Sequence, residues 1–370
     1  MLENLVKEGI KKMPPYIPGK TAESVTEKYG IKPEDILKLA SNENQFGPSP
    51  KAVEAMAKEV ERVNIYPDPF CIELRKKLGL KFGFDDSGDN AVIAVGASGI
   101  LSLLGEVFIS EGDEVITCEP TFGAYAGAVR RNNGTLVSLP LTKDLTFDLD
   151  AMYKAITDKT KMICICNPNN PTGTVVDSDE LIAFIHKVPK NIIIVVDEAY
   201  IELSSNPAVK SMVSEISDDT NVVVARTFSK IYGLAGVRLG YALCNKEMHS
   251  ILQKCTPVFI GSRVALAGAI AALDDEEYID KTKAAMKEGR EYLTEEFKKL
   301  GFYTYPSETN FIYVNTGYDT AAFAAECEKY GLIIRGNFEY SRITIGRMDQ
   351  NEKMVEIIKK VVASGIVPKA

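Results

Sequence analysis

The chain of 370 residues has no tryptophan and only two histidines, His186 and His249. That scarcity excludes much chemistry. His186 lies in the helical stretch SDELIAFIHKV and His249 in KEMHS, neither beside a Glu or Cys at metal-ligand spacing, so no metal site is expected. Neither sits in a glycine elbow, which argues against a Ser-His-Asp triad. Seven cysteines occur without a C-x-x-C pair, and Cys164 and Cys166 alternate along one apolar strand, where they read as small buried hydrophobes. No apolar run approaches the ~18 residues of a membrane-spanning helix, and MLENLVKEGIKKMPPY lacks the apolar core of a signal peptide. Basic residues are in deficit, 43 against 51 acidic, and the net charge of -8 disfavours nucleic acid as a partner. A cytoplasmic, reduced protein with neither membrane nor nucleic-acid partners is expected.

What remains is an ordinary globular composition, 45% hydrophobic and 25% charged, in a chain long enough for two domains. Residues 1–35 read as an arm broken by Pro14, Pro15, Pro18 and Gly19. From 36 to 250 short apolar strands alternate with amphipathic helices, the pattern of an α/β domain with a mostly parallel sheet covered on both faces. From 251 to 370 a long helical tract, about 262 to 300, leads into short strands at FYTY, FIYVN, LIIRG and SRITIG with one helix at 320–330, the pattern of a smaller α+β domain.

Three apolar strands in the larger domain end in polar residues. ICICNPNNPTG carries Asn170, IIIVVDEAY carries Asp197 and Tyr200, and NVVVARTFSKIYGLAGVRLGY carries Lys230. Open α/β sheets bind ligands at strand carboxyl ends. A lysine delivered to the end of a core strand is either paired with an acid or converted to an imine, because desolvation lowers its pKa and makes it a nucleophile toward carbonyls.

SNENQFGPSP, YPDPF, NPNNPTG, VVDEAYIE, RTFSKIYGLAGVRLGY and RITIG, in this order, resemble the histidinol-phosphate aminotransferase family of pyridoxal-phosphate enzymes. The resemblance implies the fold type I architecture of aspartate aminotransferase, a pyridoxal 5'-phosphate cofactor and a homodimer. It makes Lys230 the residue that carries the cofactor and then moves the substrate proton. Asp197 would pair with the pyridine nitrogen, Asn170 and Tyr200 would hydrogen-bond the phenolic oxygen, and Phe122 in PTFGAY would stack on the ring. The phosphate would lie on the backbone amides of Ala97, Ser98 and Gly99 in VGASGIL, with Thr227, Ser229 and Arg238 completing the cradle. Ser98 stands near where the family usually has an acid, leaving its hydroxyl to contribute. Tyr66 corresponds to a phosphate contact from the neighbouring subunit.

For the substrate, the resemblance implies anion contacts from Arg342 and Arg335 and a pocket contact from Tyr16 in PPYIPG, for transfer from histidinol phosphate to 2-oxoglutarate in histidine biosynthesis. Two departures pull toward an aromatic amino acid: the segment GNFEYS between the arginines is short, and PVFIGS puts Phe259 where an Asn is expected. A same-fold decarboxylase of the threonine-phosphate type would keep every cofactor residue, and a non-catalytic pyridoxal-binding module would keep the scaffold.

Overall fold

In the computed structural model, residues 2–15 and 19–369 are described. A short strand, β1 (Leu37–Lys38), precedes the main sheet of β2 (Ala91–Ala94), β3 (Glu114–Glu119), β4 (Thr135–Pro140), β5 (Thr160–Cys166), β6 (Ile193–Asp197), β7 (Val222–Thr227) and β8 (Gly240–Leu243). The order across it is β2-β8-β7-β6-β5-β3-β4. Neighbours from β4 to β7 pair in parallel, and β8 runs antiparallel to both β7 and β2. Every residue of β6 and β7 is buried, as expected of strands covered by helices on both faces.

The reversal at β8 has a local cause. The link 228–239 forms no crossover helix but folds back over the carboxyl edge, Phe228 N–H donating to the Leu239 carbonyl at 3.2 Å and Leu234 N–H to the Phe228 carbonyl at 3.0 Å. Lys230 is thereby held at the carboxyl edge, beside the end of β6, whose Asp197 is in register with Cys166 of β5 and Ala225 of β7.

The smaller unit has β9 (Tyr303–Thr304), β10 (Phe311–Asn315), β11 (Leu332–Ile333) and β12 (Ser341–Thr344), with β10 antiparallel between β9 and β12. β11 pairs in parallel with β1, and Val25, Ala40 and Ile333 form a small cluster of their own, so the arm after residue 21 is built onto this unit. The expected single helical tract is two helices, Arg263–Ala272 and Glu276–Lys299. The break falls where Asp275, buried, accepts the Ser49 hydroxyl, and the first helix packs against Pro50–Val60 of the larger layer. Helices Ile72–Lys81 and Met348–Ala363 occur where no element was predicted. The first escapes pattern reading because its buried face includes Arg75, which is satisfied by the Gly88 and Ala91 carbonyls and Asp89.

β8 begins at Gly240 because nothing larger fits: a Cβ there would stand 2.6 Å from the amide nitrogen of Ala97. Gly240→Ala must displace the start of the helix Gly96–Phe108. It is expected to cost about 1–3 kcal/mol, typical of overpacking, and to weaken binding of pyridoxal phosphate. Thermal melts and cofactor titration check this; a variant equal to wild type in both overturns it.

Candidate active site

Asp197 is fully buried at the tip of β6. Its Oδ1 accepts the Ala199 amide at 3.0 Å and its Oδ2 accepts the Tyr125 hydroxyl at 3.0 Å. Burial pushes its carboxyl up to about 6, against the pull of those two donors. Lys230 Nζ donates to the Asn42 carbonyl at 3.2 Å and lies 5.4 Å from the centre of the Tyr200 ring. Burial, with the Arg342 and Arg238 charges nearby, pushes its ammonium down to about 8, while Glu43 and Asp197 oppose the shift. The site thus holds an acid and an amine whose ionised forms are both disfavoured, the usual mark of a functional cluster.

Tyr200 is buried with its ring edge-on to Phe311, and its hydroxyl accepts from Asn42 Nδ2 at 3.0 Å. Asn170 Oδ1 accepts from Arg342 Nη1 at 2.6 Å, so a residue predicted to hold the cofactor touches one predicted to hold the substrate. Arg342 Nη2 donates to the Ala40 carbonyl at 2.7 Å, and its guanidinium lies over Phe311 and Phe338 at 5.5 and 5.6 Å. Phe122 is half-buried and meets Tyr125 edge-on.

The predicted phosphate cradle has a definite shape. The helix Gly96–Phe108 starts with Gly96 at φ 72° and no side-chain cap, leaving its first amides for an external acceptor. Ala97 and Ser98 occupy its first turn. Gly99 serves packing as well, since a Cβ there would be 3.1 Å from that of Ala94. Arg238, in the left-handed region at φ 60°, places Nη2 2.9 Å from where a Gly96 Cβ would be, and so over the helix start. Thr227 donates to the Ser229 hydroxyl at 3.0 Å and accepts the Ser229 amide at 3.1 Å, which leaves the Ser229 O–H to donate outward. Backbone amides, a guanidinium and hydroxyls form a donor set suited to a dianion.

Arg335 and Arg342 face each other across an antiparallel bridge and exchange both backbone bonds, 3.1 and 2.9 Å. Directly paired residues share one face of a ribbon, so the short GNFEYS segment is the turn that brings the two arginines together. Arg335 Nη1 lies against Gly19 of the arm. Tyr16 lies outside the described residues. Tyr66 stands apart from the cluster: it is 75% exposed and stacks on Phe259 at 4.6 Å. Phe259 stacks on Tyr66 at the surface of its own chain, and the rings beside Arg342 are those of Phe311 and Phe338. His186 is exposed and meets Glu215, His249 is buried, and all seven cysteines are free thiols, six of them buried.

Asn42 and Tyr125 escaped the sequence reading. Both lie inside motifs that carried other residues, Asn42 in SNENQFGPSP and Tyr125 three positions after Phe122. A polar side chain within such a motif was the available signal.

Residues 34–358 match the profile of the family described as aminotransferase class I and II. The chain belongs to that family. It is 37% identical to the histidinol-phosphate aminotransferase of Moorella thermoacetica over 96% of this chain and 93% of that one. It is 36% identical to that of Brevibacillus brevis, over 97% and 99%. The histidinol-phosphate aminotransferase of Sinorhizobium meliloti, solved in complex with pyridoxal-5'-phosphate, superposes with a TM-score of 0.87 at 27% identity, over 96% of this chain and 97% of that one. No described helix of this aminotransferase is long and apolar enough to cross a membrane.

The depressed Lys230 pKa carries a stability consequence. Below about pH 8 the ammonium is charged in both folded and unfolded chains, and the folded one suffers its desolvation in full. Between about 8 and 10.5 only the unfolded chain holds the proton, so stability rises with pH. Cofactor-free Lys230→Met is therefore expected to be more stable than wild type by on the order of 2 kcal/mol at pH 7, the gap closing by about pH 10.5. Urea unfolding at several pH values tests this; a constant gap, or a destabilised variant at pH 7, refutes it.

Proposed function

We propose that this aminotransferase transfers the amino group of histidinol phosphate to 2-oxoglutarate, a step of histidine biosynthesis, with pyridoxal 5'-phosphate as cofactor. The observation that carries the reading is the identity to histidinol-phosphate aminotransferases along nearly the whole chain. The residues fit the cofactor: the uncapped helix start under Arg238 suits its phosphate, the partly buried Lys230 amine its aldehyde, and the buried Asp197 a cationic ring nitrogen. Bound there, the cofactor supplies a carbonyl for the substrate amine and a cationic ring that withdraws electrons from the bonds at Cα.

The protein's own contribution is to hold and to move protons. Lys230 Nζ, its pKa lowered to about 8, would take the proton from substrate Cα and deliver it to the cofactor's C4′ carbon, the work of a general base tuned toward working pH. Asp197 holds the ring-nitrogen proton. Asn170 and Tyr200 orient the phenolic oxygen, and Phe122 covers the ring. Arg342 and Arg335 serve the anionic ends of both substrates, the phosphate of histidinol phosphate and the carboxylates of glutamate and 2-oxoglutarate.

A second copy completes the site. Tyr66 belongs to an exposed apolar group with Ile65, Phe70, Val258 and Phe259, the kind of surface that marks a protein interface. From it Tyr66 reaches the phosphate of a neighbouring subunit. The buried free thiols suit the reducing cytoplasm.

The substrate assignment is tested by kcat/KM. Histidinol phosphate is expected to exceed phenylalanine by at least about 100-fold, and Arg335→Ala to lower the histidinol phosphate value roughly 10- to 100-fold while sparing phenylalanine. Equal or better turnover of phenylalanine would favour an aromatic aminotransferase, for which Phe311 and Phe338 beside Arg342 would form the ring wall. Release of carbon dioxide would identify the decarboxylase.

The shared site has its own test. Mixing Tyr66→Ala chains with Lys230→Ala chains is expected to raise activity above the mean of the two, because one site of each heterodimer regains both residues. Strictly additive activity in a mixture that exchanges subunits overturns the arrangement.

A further inference from the structure

Of the two donors on the Asp197 carboxylate, one is backbone and the other is the side chain of Tyr125, which no sequence motif had assigned. We propose that Tyr125 is a positioning residue for the reaction: its hydroxyl fixes Asp197 in the ionised form and in the orientation that a cationic cofactor ring requires. The proposal rests on the pyridoxal-phosphate reading of the site.

The geometry is restrictive. Tyr125 is 2% exposed, in the first turn of the helix Ala124–Arg131, and its hydroxyl reaches Asp197 Oδ2 across 72 positions of sequence. Phe122 precedes it by three residues, just before the helix, and packs edge-on against its ring. One short segment therefore supplies both the aromatic face and the donor to the acid, and the spacing of the two is set by local backbone. The other oxygen is held by the Ala199 amide, so the carboxylate plane is pinned at both ends.

The charge balance explains why a donor is needed. Facing Asp197 are Tyr125 from its helix, Cys164 and Cys166 from β5, Glu198 and Tyr200 along its own chain, and Lys230 after β7. Burial, with Glu198, drives the carboxyl toward protonation; the Ala199 amide, the Tyr125 hydroxyl and Lys230 oppose this, leaving it at about 6. The balance sits close below neutrality. Tyr125 is itself pushed well above the usual phenol range by burial and by Asp197, so it keeps its proton and acts as a donor throughout the working range. Without that donor Asp197 titrates higher and is about half protonated at neutral pH, and the protonated form offers a ring cation no counter-charge. Because a carboxylate is favoured by each hydrogen bond it accepts, losing one of two raises the pKa by about one unit, and one unit is tenfold in an equilibrium.

The test is the pH dependence of cofactor affinity in Tyr125→Phe, which removes only the hydroxyl. Dissociation constants for pyridoxal phosphate are measured by fluorescence from pH 5.5 to 9 on the cofactor-free protein. Tyr125→Phe is expected to bind about fivefold more weakly near pH 6 and about twofold near pH 7, and to approach wild type by pH 9, its affinity rising through a midpoint about one unit higher. In an Asp197→Asn background the same change is expected to leave the pH profile unmoved, because the titrating group is gone. Affinity profiles of Tyr125→Phe and wild type that superpose, or an equal shift in the Asp197→Asn background, would overturn the proposal. A lower Tm without a shifted midpoint would also overturn it, by assigning Tyr125 to packing alone. Failure of the underlying reading looks different: wild type itself would then not bind pyridoxal phosphate, and borohydride would not fix it to Lys230.

Discussion

Asn42 joins the three parts of the molecule on which the site depends. Its carbonyl accepts from Lys230 Nζ in the larger layer and from Asn310 Nδ2 in the smaller unit, its amide nitrogen Nδ2 donates to Tyr200, and its backbone N–H and Oδ1 close a pair of bonds with Thr344. It does so at φ 55°, in the left-handed region that asparagine tolerates better than most residues. The strain is sustained because every polar group of the residue is satisfied in the buried interior. The segment after the arm thus aligns Lys230, Tyr200 and the strand that carries Arg342. A backbone shift there would move all three.

The electrostatics of the site follow from the same burial. Parallel strands covered on both faces bring Asp197 and Lys230 to a desolvated edge, and desolvation moves their pKa values toward each other, up for the acid and down for the amine. Behind them lies a second charge group that does not face the site. Arg226 donates from Nε and Nη2 to Glu198 at 3.0 and 2.7 Å and from Nη1 to Glu202 at 3.0 Å, while Glu198 also takes the Met212 amide and the Ser211 hydroxyl. Arg226 and Glu198 are the neighbours in sequence of Thr227 and Asp197. This satisfied network ties together the ends of β6 and β7, so the two strand tips that carry the acid and precede the amine cannot drift apart.

The two arginines predicted to meet the substrate depend on a different device. Arg335 and Arg342 are opposed across an antiparallel pair, and Arg342 is clamped by Asn170, Ala40 and two aromatic rings before any substrate arrives. A guanidinium held between rings and acceptors is pre-organised, which reduces the ordering cost of binding an anion. Arg335 is placed against Gly19, so the arm forms part of the same wall.

The strand-end positions of Asp197 and Lys230 were legible in the sequence, because apolar runs followed by single polar residues are local patterns and parallel strands deliver their carboxyl ends to one edge. The alternation of helix and strand, and so the α/β class, was legible for the same reason. Local pattern fails where partners are distant. Tyr125 meets Asp197 across 72 residues and Asn42 meets Thr344 across 302, separations that no periodicity encodes. It fails again where burial overrides polarity, as in the helix carrying Arg75, and where a register decides facing, as with Arg335 and Arg342. The break at 273–275 and the stacking of Phe259 on Tyr66 belong to the same class. The sequence alone therefore determined the family the chain belongs to and the strand ends at which its acid and amine stand. Only the tertiary structure decided which groups hold that chemistry in position, since hydrogen bonds and desolvation act through space and not along the chain.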